Sequence, residues 1–243
     1  MSARIEEIRS GLYRATTYVE KLGLGFSQFF VRANTEEVLC IETGMRANFP
    51  QLTQSLTQVD ILPSMISGIV VPHFEADEMG ALPEFLNANA RLTAYGHPIC
   101  THALADIFNV NARPLKDRVP AVVSGVEILP IFTKHVHQWD SLVVYLPKYK
   151  ALLSSDIFMR YGDDPPAHDD PLPAIIESIE RSGYLPSLAH LAAALETIRT
   201  LDLDLILPMH GPAIEHDIPR LIAGLINYCR SARDAELAGS VSR

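Results

Sequence analysis

The run His73-Phe74-Glu75-Ala76-Asp77-Glu78 puts four potential metal ligands into six residues, directly after the apolar stretch Ile66–Val71 and its closing Pro72. An apolar run of that length ended by proline reads as a buried strand opening into a loop. In an extended loop, side chains at i and i+2 point the same way, so His73 and Glu75 can grip one ion while Asp77 and Glu78 turn toward a second. The plainer alternative is a solvated acidic loop with an incidental histidine, and the hexapeptide alone does not dismiss it.

Three further residues tip the balance. His137 precedes the strand pattern Ser141–Tyr145, Asp156 follows Ala151–Ser154, and His210 follows Leu203–Leu207. Ligands arriving from separate strand ends can converge on one edge of a sheet, which a random scatter of acids would not do.

The rest of the chain supplies a scaffold for such an edge. Gln28–Val31 and Val38–Glu42 read as a hairpin around Ala33-Asn34-Thr35-Glu36, and Leu92–Tyr95 and Val126–Phe132 as further strands. Helical spacing predicts helices over Phe49–Leu56, Glu84–Ala88, Thr101–Phe108, Ala174–Arg181, Ser187–Thr200 and Ile218–Ser231. Between Gly162 and Pro173 the sequence GDDPPAHDDPLP forms neither ladder and reads as a surface loop, with His168 a candidate lid residue.

At 243 residues, one domain over 1–232 with a fraying tail at 233–243 is expected. A net charge of −9 and the lack of a Lys/Arg stripe argue against nucleic acid. The apolar runs are too short to span a bilayer, and the N-terminus carries no targeting segment, so a cytoplasmic protein that does not engage membranes is expected. Cys40, Cys100 and Cys229 show no C-x-x-C pairing and read as buried, reduced core residues.

The run HFEADEMGALPEF resembles the H-x-E-x-D-x-x-G-A-L-P-E segment of the flavodiiron proteins, and HQWDSLVVY, SSDIF and LPMHGP resemble that family's later ligand blocks. The resemblance implies an α/β chain with the metallo-β-lactamase fold, an αβ/βα four-layer sandwich with the metals at one edge. It implies one iron on His73, Glu75 and His137 and a second on Asp77 and His210, with Asp156 bridging. The chain departs from the pattern at Glu78, where the family has histidine, and it carries no flavodoxin-like block, so no FMN is expected in it. In that respect it is similar to free-standing oxygen-binding diiron proteins. The expected ligand is dioxygen or a similar small molecule, and the expected partners are an external electron-transfer or signalling protein and a second copy in a homodimer.

A dinuclear zinc hydrolase is the alternative, with Asp77 orienting a bridging water. Zinc enzymes of this fold read H-x-H-x-D-H at the loop, whereas Glu75 and Glu78 stand here for two of those histidines. Carboxylates are harder ligands and suit iron better. If Glu78 coordinates, four carboxylates rather than three face the metals and favour their oxidised state; if it points away, water takes its place. His137 is preferred to His135 because the spacing to Asp140-Ser141 fits only from His137. His97, His102, His190 and His216 lack ligand spacing and read as structural.

Overall fold

Runs of Val, Ile, Leu and Phe with no polar alternation form strands that are covered on both faces, and the chain has enough of them for two such sheets. The computed structural model describes residues 3–162 and 170–241, with side chains described as far as 232. The first sheet has seven strands in chain order: β1 (Arg4–Arg9), β2 (Leu12–Val19), β3 (Leu24–Arg32), β4 (Val38–Ile41), β5 (Ile66–Val71), β6 (Thr93–Gly96) and β7 (Asn111–Pro114). It is antiparallel from β1 to β4 and parallel from β4 to β7. The second comprises β8 (Ala121–Val123), β9 (Val126–Phe132), β10 (Leu142–Leu146), β11 (Ala151–Leu153) and β12 (Leu205–Leu207), ordered β12-β11-β10-β9-β8.

Period-two alternation splits each buried strand between two cores. Phe29, Leu39, Ile41 and Val70 face Ile128, Leu142, Val144 and Leu207 across the gap between the sheets. Their neighbours Phe30, Cys40, Ile69 and Val71 point outward, against α1 (Phe49–Leu56), α3 (Leu82–Ala88) and α4 (Pro98–Phe108). On the far side, Val143, Leu152 and Ile206 pack on α5 (Leu172–Ser182), α6 (Leu188–Ile198) and α7 (Ile218–Val241). The result is the expected four-layer sandwich. At Gly68 the sheets come so close that a Cβ would lie 2.5 Å from the Ser124 Oγ and 2.8 Å from Val123.

The structure adds strands to the sequence reading. β2 is buried on both faces, Leu12 toward the core between the sheets and Tyr13 and Ala15 toward the outer one, with Arg14 buried among them, while charged residues line the edge strand β1, so charge masks the pattern. Residues 76–79 form a short helix, α2 (Ala76–Met79), and not the extended loop expected for Asp77 and Glu78. The cause is local: Glu75, at extended angles and with no side-chain cap bond, stands at the N-cap position of a turn whose first residues are acidic, the charge a helix start favours. His168 and residues 163–169 of the acidic loop lie outside the described residues. Among the described residues, no helix is long and apolar enough to cross a membrane.

Phe29 is fully buried between the sheets, whereas Val122 is 71% exposed. Phe29→Ala should destabilise by about 3–5 kcal/mol and Val122→Ser by less than about 0.5 kcal/mol, as read from urea unfolding; similar losses for the two would contradict the layer assignment.

Candidate metal centre

Both sheets contribute to one edge. His73 follows β5, Glu75 stands at the start of α2, and Asp77 and Glu78 sit inside it; from the second sheet come His137, between β9 and β10, Asp156 after β11, and His210 after β12. The β5 loop is tied to the second sheet by backbone: the Leu142 amide donates to the Pro72 carbonyl at 3.0 Å. The buried Asp140 accepts from the Phe74 amide at 3.1 Å, which fixes the chain between His73 and Glu75. Directly after His210, Gly211 sits at φ +106°, and a Cβ there would lie only 3.1–3.3 Å from Arg160.

Glu75 Oε2 lies 3.1 Å from His73 Nε2 and 2.9 Å from His137 Nε2. Asp156 Oδ2 lies 3.0 Å from His137 Nε2 and 3.4 Å from His73 Nε2. Each of these four residues offers a ligand atom within 4.8 Å of the others, the geometry of one metal position. The other oxygen of Asp156, Oδ1, faces a different set, 3.3 Å from His210 Nε2, which in turn is 3.5 Å from Asp77 Oδ2. His210 Nδ1 donates to the Gly25 carbonyl at 2.8 Å, which leaves Nε2 to face the carboxylates.

Glu78 stands behind the first set, on the far side of His73, and within neither. In a helical turn adjacent side chains diverge by about 100°, so it points away from Asp77 into the interior, where it is fully buried. Its Oε1 accepts from Ser155 Oγ at 2.7 Å and lies 3.4 Å from His73 Nδ1, on the opposite side of that ring from Glu75.

Four residues have supporting contacts that the sequence alone does not assign: Glu42, Asp140, Ser155 and Tyr184. Tyr184 donates to the Asp156 carbonyl at 3.0 Å and sets its ring edge on His137. Glu42 is fully buried directly after β4, with a positive φ of 66°, and neither carboxylate oxygen has a hydrogen-bond partner. An acid closing the apolar run Val38–Ile41 was the available signal. His135 packs on the His190 ring, and His97 caps α4 by accepting from the Ile99 amide. Cys40, Cys100 and Cys229 are buried and free.

The electrostatics are those of carboxylates paired with imidazolium ions. Hydrogen bonds from His137 and His73 lower Glu75 to about 2. Burial alone would lower His137, but its bonds to Asp156 and Glu75 outweigh that and raise it to about 10. Burial likewise opposes the rise of His210, which Asp156 and Asp77 carry to about 10. Against its burial, Asp156 is held well below the usual carboxylate range by His137 and His210. Protons on these rings occupy the place of cations.

The profile described as ODP family beta lactamase matches residues 24–211. The putative diflavin flavoprotein A 2 of Synechocystis sp. is 26% identical over 81% of this chain and 34% of its own length. The type A flavoprotein fprA of Rhodobacter capsulatus is 30% identical over 60% of this chain and 35% of its own. The chain thus spans about a third of the length of these curated relatives. A flavo di-iron protein from Thermotoga maritima superposes with a TM-score of 0.79 at 19% identity, covering 93% of this chain and 61% of that one. A fragment of putative diflavin flavoprotein A 5 from Nostoc sp. superposes with a TM-score of 0.84 at 13% identity, covering 97% and 98%.

A histidine whose folded pKa lies above its unfolded value of 6.5 adds stability that is complete below 6.5 and lost as pH rises through the folded pKa. For His137 and His210 that window runs from 6.5 to about 10. Metal-free protein should therefore lose thermal stability steadily from pH 7 to 10, and a divalent ion added at pH 7.5 should displace protons from both rings. Tm against pH and proton release into weakly buffered solution check this; a flat apo profile would contradict the pairing. With its profile match over most of its length and its metallo-β-lactamase sandwich, the chain belongs to the ODP family of beta-lactamase-fold proteins.

Proposed function

We propose that the chain holds two iron ions and uses them to bind dioxygen or a related diatomic molecule, reducing it slowly when an external protein supplies electrons. The observation that carries this reading is Asp156, whose two oxygens face two different ligand sets. His73, Glu75 and His137 would hold one ion, Asp77 and His210 the other, with Asp156 shared. The donor set fits: carboxylate-rich, mixed with imidazole, and suited to iron more than to zinc. The chemistry such a pair supplies is electron donation from ferrous iron to a diatomic molecule.

The protein's own groups shape access to that chemistry. The His73 and His210 side chains are 1% and 6% exposed, whereas Glu75 is 42% exposed and His137 18%, so a small ligand enters over Glu75 and His137. Phe26 stands edge-on to His210 at 4.8 Å and Tyr184 edge-on to His137 at 5.7 Å, limiting water on those flanks. The relatives that match are flavoproteins, and the Thermotoga neighbour is a flavo di-iron protein; neither favours the hydrolase alternative. Glu75, a carboxylate where the zinc loop has histidine, points the same way. Three buried free cysteines suit the reducing conditions of a cytoplasm.

Protein from iron-replete cells should contain about two iron atoms per chain, and anaerobic ferrous protein should change its absorption spectrum on exposure to oxygen. Asp156→Ala should lose both ions, while His210→Ala should retain one. Stoichiometric zinc without iron under those conditions, or equal metal content in the two variants, would overturn the assignment.

A further inference from the structure

We infer that the second ion takes a carboxylate ligand from Glu42, at the end of β4, and that Glu78 instead braces the first ion's ligand His73. The inference rests on the dinuclear reading above and names ligands that the motif does not supply.

Glu78 occupies the position where the family pattern has histidine, but its contacts commit it elsewhere. Its Oε1 accepts from Ser155 at 2.7 Å and faces His73 Nδ1 at 3.4 Å, while His73 turns Nε2 toward Glu75 and Asp156. A carboxylate on the far nitrogen of a ligating histidine fixes the tautomer and orients the ring. That leaves the second position with three protein groups: Asp77, His210 and Asp156 Oδ1.

Glu42 is placed to add a fourth. Its amide donates to the Val70 carbonyl at 3.1 Å, and the next residue, Thr43, donates to the Glu78 carbonyl at 2.7 Å, so the end of β4 is fastened between β5 and α2. Both its oxygens are buried with no hydrogen-bond partner, and so is Oε2 of Glu78. Charged groups near Glu42 include Asp156, His210 and Asp77, the three members of the second position, and Glu42 is in turn the charge that acts most on Glu78. A buried carboxyl without a hydrogen-bond partner either keeps its proton or takes a cation beside it, and the unpartnered oxygens of Glu42 at the second position suit the cation.

The test is an anaerobic titration of metal-free protein with Fe2+ against a chromogenic chelator, on wild type, Glu42→Gln and Glu78→Gln. Glu42→Gln should weaken the second ion by about 10-fold or more and leave the first within about twofold; Glu78→Gln should weaken the first. A crystal structure of the iron-loaded protein should place a Glu42 oxygen about 2.0–2.2 Å from the ion shared by Asp77 and His210. Folding of each variant is checked by thermal unfolding. Where Glu42→Gln fails to fold, Glu42→Asp, one methylene shorter, should show the same selective loss. Two ions bound at wild-type affinity in the Glu42 variant, or Glu42 far from both ions with Glu78 on the second, would overturn the inference and leave the dinuclear reading intact. A wild-type protein that takes up only one ion of any metal would overturn both.

Discussion

The two oxygens of Asp156 are the constraint on which the site depends, because each meets an imidazole delivered by a different loop. His137 comes from the β9–β10 connection and His210 from the end of β12, and both close on a carboxylate at the end of β11. Since β11 pairs with β10 on one side and β12 on the other, the order of strands in the second sheet sets the three ligand origins side by side. The first sheet meets that row with the β5 loop and α2. What would be a fully charged buried carboxylate is thereby neutralised from both sides, and its low proton affinity follows from that placement despite its burial.

Much of this arrangement was legible in the residues. Apolar runs followed by ligand-type residues marked β5, β11 and β12, a histidine before the run Ser141–Tyr145 marked β10, and spacing to Asp140-Ser141 preferred His137 to His135, which the structure turns onto His190. The misses share a cause: local pattern was outweighed by something longer in range. Charges on β1 hid a strand whose pairing with β2 supplies what its composition does not. The acidic hexapeptide was expected to be extended, yet a helical turn sends Asp77 and Glu78 in different directions. Glu42 lies far from the ligand blocks in sequence, and only the parallel pairing of β4 with β5 brings it beside them. No periodicity of side chains carries that information.

The family resemblance and the bottom-up reading contributed different things. The four sequence blocks carried the ligand order, which fold similarity at 13–19% identity to solved structures could not. Departures from a family pattern were informative only after the backbone was known. The substitution at Glu78 looks, from sequence, like a swap of one ligand for another; in the fold it sits behind a ligand, bonded to Ser155.

Because the ligands stretch from His73 to His210 and come from both sheets, no fragment holding one sheet alone presents more than part of the site. Such long-range contacts form late, after the entropy of closing the intervening chain has been spent. The three cores bury the strands from both sheets without any ligand residue, so a site of this kind can be completed only once they have packed. Metals bound as proposed would act as a mechanical rivet set into a finished seam: they would need the ends of β5 and β11 already side by side, and would make the sheets harder to pull apart without having taught them where to lie.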